Sequence, residues 1–198
     1  MLTAYQATRD QLQPAELSQL AQSEWRDVAW IDAREPDPTE DHALEAALGL
    51  VIPTREDMAE IEVSSRLYEE SGAAYMTASI VAHTEQDEPV LAPITFIVTS
   101  RQLITIRYSD PRSFQQFQAR AAKGIADCAT GPAVLVHLLE AVVDRLADIL
   151  ERIGGEVDAI SRDVFHQRSR KADRRSLDLQ GQLRQLGIKG DVTGKVQD

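Results

Sequence analysis

Hydrophobic and polar positions follow two different rhythms along this chain. Up to about Tyr108, short apolar runs suited to strands are interleaved with segments at helical spacing. Leu2 to Tyr5 reads as a strand. Pro14 to Ala21 puts a proline at a helix start with Leu17, Leu20 and Ala21 at helical spacing, and predicts a helix. Val28 to Asp32 reads as a buried strand that stops at the prolines after Glu35. Thr39 is placed to cap a helix from Glu40 to Leu48, which Gly49 terminates. Pro53 and Thr54 open a further short helix around Arg55 to Ile61. From Ser65 the signal turns to strands: Arg66 to Glu69, Ala73 to Ala82, Leu91 to Val98 and Leu103 to Tyr108 are rich in β-branched and aromatic residues. Ser71-Gly72 and Ser100 to Gln102 stand where tight turns would join neighbours, so antiparallel hairpins follow. The fold class predicted for residues 1–125 is α+β, an αβα sandwich with a mixed, largely antiparallel sheet.

Residues 131–198 have the second rhythm, that of long amphipathic helices. A helix from Ser113 to Ala122 ends at Gly124, and Gly131-Pro132 then starts a long helical run. Leu135, Leu139, Val142, Leu146, Ile149, Ile153, Val157, Ile160 and Val164 recur at steps of 4, 3, 4, 3, 4, 4, 3 and 4. The extra step of four brings the period close to the unstrained helix value of about 3.6, so the helix can run nearly straight. Any kink is expected at Gly154-Gly155. A basic patch follows (Arg168, Arg170, Lys171, Arg174, Arg175), then a second amphipathic stretch through Leu179, Leu183 and Leu186 that would fold back as a helical hairpin. The last residues, from Gly187 to Asp198, read as a weak, uncapped helix that looks cut rather than finished.

Composition narrows the function classes. The 198 residues carry 21 Lys and Arg against 32 Asp and Glu, a formal net charge of -11. Nucleic acids and anionic membrane surfaces are disfavoured as partners, because both need a basic footprint and the excess has the opposite sign. No run of about 20 apolar residues is present that could span a bilayer. The single cysteine, Cys128, forms no internal disulfide and no charged-then-apolar leader opens the sequence, which points to a reducing compartment.

Catalytic constellations are lacking. His42, His83, His137 and His166 have no metal-ligand spacing with Cys128 or with one another. Gly190 to Lys195 departs from a phosphate loop twice, with three residues between its glycines and Val196 after the lysine. No enzyme activity is expected. Carboxylates are the remaining candidates. Glu56, Asp57, Glu60 and Glu62 gather on and after the third short helix, and Glu140, Asp144, Asp148 and Glu151 line the long one. Acidic residues four apart repel in an isolated helix. Either they form a solvated face near Arg145 and Arg152, or they serve a hard cation such as Mg²⁺, which takes oxygen ligands and keeps much of its water.

An ordered set of segments then adds a resemblance: Val28 to Pro36, Leu48 to Pro53 with Arg55 to Asp57 behind it, the hairpin ending Ile94 to Ile106, and Leu138 to Leu146. In order and spacing these resemble the cytoplasmic part of the CorA-type divalent metal transporters, over nearly the whole chain. Lys189 to Lys195 looks like the start of the segment leading down the stalk helix. The resemblance implies a homopentamer in the inner membrane, with this domain on the cytoplasmic side and the membrane reached only through helices beyond Asp198. The Gly-Met-Asn signature, expected further on, is missing from the sequence. It also implies that cations bound between subunits hold the pore shut, at positions that match Glu56, Asp57, Glu140 and Asp144. The ion implied is Mg²⁺, with Co²⁺ or Zn²⁺ as alternatives, and its role is regulatory rather than catalytic. Two other readings stay open: a domain of the zinc-transporting ZntB branch, and a stand-alone acidic α+β domain that binds a partner protein and senses no metal.

Overall fold

The computed structural model describes residues 1–8, 11–17, 24–25, 28–60, 62–82, 89–124, 128–167, 181 and 183–188. Seven strands, β1 (Leu2–Thr8), β2 (Gln11–Glu16), β3 (Trp30–Arg34), β4 (Leu67–Glu70), β5 (Ala73–Ala82), β6 (Val90–Val98) and β7 (Leu103–Arg107), form one sheet in the order β2-β1-β3-β7-β6-β5-β4. Only β3 and β7 run parallel; every other neighbouring pair is antiparallel. The β4–β5 hairpin turns through Ser71 and Gly72, both at positive φ (51° and 80°), the backbone that matches the twist of its strands.

Helices α1 (Pro38–Leu48), α2 (Arg55–Met58) and α3 (Val63–Arg66) precede β4, while α4 (Arg112–Ala121) and α5 (Gly131–Gln167) follow β7. Successive strand residues point to opposite faces, and each face is covered. On one, Trp30, Phe96 and Leu103 meet Phe114 and Phe117 of α4 and Val134, Leu138, Ala141 and Val142 of α5. On the other, Ile31, Ala33, Tyr75, Ile104 and Ile106 meet Leu44 and Ala47 of α1 and Met58 of α2. The predicted αβα sandwich with a mixed, largely antiparallel sheet is what the chain forms.

Four local expectations are corrected. The predicted helix from Pro14 begins instead inside β2, where Pro14 pairs with Tyr5. That strand lies at the sheet edge, the place where a residue without an N–H costs no ladder bond; residues 18–21 of the prediction fall outside the described residues. The cap of α1 is Asp37, not Thr39: its carboxylate accepts from the N–H groups of Thr39 (2.8 Å) and Glu40 (2.9 Å), and Glu40 accepts in return from the N–H of Asp37 (3.1 Å). Helix α2 is a single turn that stops at Met58, and α3 occupies a stretch in which no helix was expected. Gly49 does end α1, in the left-handed conformation (φ 71°).

The fourth correction concerns α5. Its buried residues are Val134, Leu138, Ala141, Val142 and Ile149, whereas Leu139 of the predicted stripe is 38% exposed. Leu135, Val142, Leu146 and Ile149 of the stripe are buried or pack against the core, so the stripe holds in part, and Val134, Leu138 and Ala141 widen the buried face where the sheet and α4 meet the first turns. Gly131 is held where the helix begins: its N–H donates to Arg101 O (2.7 Å), and a Cβ there would collide with the Gln102 backbone carbonyl. Beyond Leu150 no described residue of α5 is buried, and the helix continues without interruption through Gly154 and Gly155. Open space surrounds both glycines. Gly155→Ala is therefore expected to stabilise the helix by about 0.5–1 kcal/mol, read as a higher helicity and melting temperature in circular dichroism. No gain would mean that the backbone at this point departs from a helix in solution. The basic patch from Arg168 to Arg175 and Leu179 of the predicted hairpin lie outside the described residues. No helix among the described residues is long and apolar enough to cross a membrane.

Candidate metal site

The two acidic pairs are built in different ways. Thr54 caps α2 by accepting from the Asp57 N–H through Oγ1 (3.2 Å), and Asp57 Oδ2 accepts back from Thr54 N–H (2.9 Å) and Thr54 Oγ1 (2.8 Å). This reciprocal box explains how a one-turn helix persists at all, since a lone turn fixes many dihedrals for one hydrogen bond. The Thr54 hydroxyl, and after it the Thr54 amide, hold the Asp57 carboxyl below its ordinary range. Glu56 is exposed on the same turn. Met58, fully buried, anchors the turn to the face of the sheet shared with α1.

Glu140 and Asp144 lie one turn apart on α5, both exposed. Glu140 Oε2 is 2.8 Å from His137 Nδ1, the pair expected from their three-residue spacing. Asp144 Oδ2 accepts from Arg120 Nη1 of α4 at 3.4 Å. With the sheet between them, α2 and α5 sit on opposite faces, so one chain does not bring Glu56 and Asp57 to Glu140 and Asp144. Among the described residues no three or more His, Cys, Asp or Glu side chains converge as a metal site. Each pair supplies the one or two carboxylates that a largely hydrated Mg²⁺ uses, and neither makes a closed cage. A cleft of about 420 Å³ near the start of α5, lined by residues including Gln6, Thr8, Arg101 and Thr130, contains no carboxylate and is not a cation pocket.

Sequence reasoning missed the most heavily bonded polar group among the described residues. Asp32 and Arg107, each 3% exposed, are neighbours across the parallel β3–β7 pair. Arg107 donates through Nε to Asp32 Oδ1 (2.9 Å), through Nη2 to Oδ2 (2.8 Å), and through Nη1 to Ser109 O and Asp110 Oδ1 (both 2.7 Å). Thr105 Oγ1 donates to Asp32 Oδ1 (2.8 Å) and accepts from Trp30 Nε1 (3.0 Å). Burial works against the Arg107 charge, but the hydrogen bonds and charge of Asp32, then of Asp110, outweigh it and raise its pKa. The network faces α4, with the guanidinium 4.9 Å from the Phe114 ring centroid, and lies under the helices rather than at an opening. The only trace in the sequence is a charged residue at each end of an apolar run.

These bonds set an acid limit. Asp37 and Asp57 have folded-state pKa values below the ordinary one, and so has Asp110, where hydrogen bonds from Arg107 and Gln115 outweigh the opposing effect of burial. A depressed carboxylate adds stability above the unfolded value of about 3.9, and that stability is lost as pH falls through the lower folded value. The melting temperature is therefore expected to fall as pH drops below about 4, and Asp57→Asn to lose less over that interval than the wild type. Parallel curves for the two proteins would rule Asp57 out as a contributor.

A family profile described as "CorA-like Mg2+ transporter protein" matches residues 25–187. The magnesium transport protein CorA of Wolinella succinogenes is 30% identical over 142 residues, 70% of this chain and 44% of that protein. Two solved structures share the fold: the soluble domain of CorA from Methanocaldococcus jannaschii (TM-score 0.61, 13% identity, 84% of this chain and 65% of that one) and the ZntB cytoplasmic domain from Vibrio parahaemolyticus (TM-score 0.55, 10% identity, 80% and 64%). The chain spans about half the length of the curated relatives it matches, 44% of one and 59% of another. By the profile, which spans most of its length, this chain belongs to the CorA-like family of Mg²⁺ transporters, which are ion transporters and not enzymes.

Proposed function

We propose that this chain is the metal-sensing domain of a CorA-like magnesium transporter, in which divalent cations bound between neighbouring subunits gate ion transport. The full protein would be a homopentamer in the inner membrane with this domain on the cytoplasmic side. The observation that carries the reading is the placement of the acidic pairs on opposite outer faces of the sandwich. Copies arranged side by side in a ring would turn the α2 face of one toward the α5 face of the next. Bare carboxylates meeting there repel. A hydrated Mg²⁺ between them adds binding free energy to the closed arrangement alone, which is the requirement for a ligand to shift a conformational equilibrium.

Within this reading Glu56 is the ligand open to a cation, Glu140 and Asp144 would share themselves between the cation and their partners His137 and Arg120, and Asp57 combines the role with capping. The two members of the α2 pair should therefore behave differently. Glu56→Gln is expected to leave the metal-free melting temperature unchanged and to reduce the rise produced by millimolar magnesium. Asp57→Ala is expected to cost about 0.5–1 kcal/mol with chelator present, because it removes the side-chain acceptor that forms half of the capping box. Thermal unfolding of each variant, with chelator and with magnesium, reads both effects. An undiminished magnesium shift in Glu56→Gln would remove it from the ligand set.

Hard oxygen donors favour Mg²⁺, with Co²⁺ as an alternative. Strong stabilisation by micromolar zinc with none by magnesium would select the ZntB-like reading. No response to any divalent ion would select the stand-alone interaction domain.

A further inference from the structure

One carboxylate of α5 is already engaged by a cation, and that cation belongs to a different helix. Asp144 Oδ2 lies 3.4 Å from Arg120 Nη1 in the last turn of α4, with the Asp144 and Arg120 side chains 70% and 40% exposed. The pair spans 24 residues of chain and is brought together by the core. Phe117 and Ala121 of α4 are buried in the same cluster as Ala141 of α5. Arg120 stands three residues after Phe117, and Asp144 three after Ala141, so both emerge where the two helices pack. The guanidinium is therefore aimed at the carboxylate by side chains that cannot easily move.

A guanidinium at that oxygen acts against a metal ion in two ways. It donates a hydrogen bond to the atom that an incoming cation or its water would use, and its charge repels a divalent ion twice as strongly as a monovalent one. Neither effect is relieved by a change of pH, because arginine stays protonated throughout the working range. The ion pair adds little to the stability of the fold, since both partners face water. Its effect falls instead on the concentration at which a cation can take Asp144. Magnesium is equipped to compete, with two charges to the guanidinium's one and a preference for carboxylate oxygen.

We propose that Arg120 sets the magnesium threshold at Asp144: it occupies the carboxylate when no metal is bound, and a divalent cation must displace it. The inference rests on the reading of Asp144 as a cation ligand, and deepens it by assigning the metal-free state of that site.

Magnesium chloride titrations of the full chain at constant ionic strength, read as the rise in melting temperature, test it. Arg120→Gln should lower the midpoint about two- to fivefold, the scale expected for coupling between exposed charges, and should leave the melting temperature in chelator nearly unchanged. Arg101→Gln is the control. It removes the same charge beside the first residue of α5, about 20 Å from Asp144 along the helix, and should leave the midpoint where it is. Asp144→Asn should weaken the magnesium response, and adding Arg120→Gln to that variant should shift it no further. A weakened response in Asp144→Asn with a wild-type midpoint in Arg120→Gln overturns the inference and leaves the ligand reading standing. Equal shifts in Arg120→Gln and Arg101→Gln trace the effect to net charge and overturn it as well. An unaltered response in Asp144→Asn, or a wild-type chain that magnesium does not stabilise, overturns the ligand reading and the inference together.

Discussion

Replacing Asp32 by Asn is expected to destabilise the fold by about 3–5 kcal/mol, the usual consequence of removing one partner from a buried ion pair. The cost arises less from the lost attraction than from what remains, an Arg107 guanidinium 3% exposed whose Nη2 faces an amide NH2 in place of the Oδ2 acceptor and whose only remaining carboxylate partner among the described residues is the part-exposed Asp110. Thr105 Oγ1 can still donate to the amide oxygen of Asn, so the loss falls on the Arg107 side of the network. Removing both charges should cost less than removing one: Asp32→Leu combined with Arg107→Met is expected to recover a substantial part of the loss, since apolar groups of similar volume leave no orphaned charge. Denaturant unfolding of the two single variants and the double variant checks this. A double variant as unstable as the sum of the singles would mean that the pair's neighbours, not the pair, hold the site together.

Trp30→Ala should cost a similar amount, about 3–5 kcal/mol. Trp30 is fully buried, stacks on Tyr5 with ring centroids 4.3 Å apart, and lies 5.4 Å from Phe117 and 6.3 Å from Phe114. Its removal empties the space where β1, β3 and α4 meet and leaves Thr105 without the indole donor. A second readout separates local loss from general unfolding. Burial, and after it the Asp32 charge, push the Tyr5 phenol up to about 12. In Trp30→Ala that phenol should titrate nearer its ordinary value, because water reaches it, and the absorbance change of tyrosinate follows it. A Tyr5 titration unaltered in a folded Trp30→Ala protein would show that the cavity closes over the ring. Asp32 and Trp30 share Thr105, so their effects should not add.

The elements were legible where local chemistry and pattern agreed. Strands β3, β5, β6 and β7 are apolar runs bounded by turn residues, Ser71 and Gly72 form the turn their types suggest, and Gly49 ends α1 where it stands in the sequence. The reading failed where a residue type serves two purposes. Pro14 suits a helix start and an edge strand equally well, and pairing with β1 decided for the strand. Thr39 and Asp37 are both good caps, and only backbone conformation selects between them.

The candidate site divides in the same way. Charge and spacing mark two acidic clusters, and it is the resemblance that singles out Glu56, Asp57, Glu140 and Asp144 within them, while the His137–Glu140 pair follows from helix geometry alone. The capping duty of Asp57 was available in principle, since Thr54 stands three residues before it. What no pattern carries is that the sheet separates the two acidic pairs, because that depends on which face of the sheet each helix covers.

By itself, then, the order of residues determined which stretches bury apolar side chains, where turns and helix ends fall, and that acidic rather than basic or thiol chemistry marks the surface; these are properties of neighbours along the chain. Tertiary structure alone decided the rest. It joined Asp32 to Arg107 across 75 residues, it put α2 and α5 on opposite sides of one sheet, and it divided the apolar residues of α5 between those that pack on the core and those, such as Val136 and Val143, that stay exposed. The physical reason is that burial and pairing are shared by groups distant in sequence, and a periodic helix with two apolar faces has no preference between them until a sheet is laid against one.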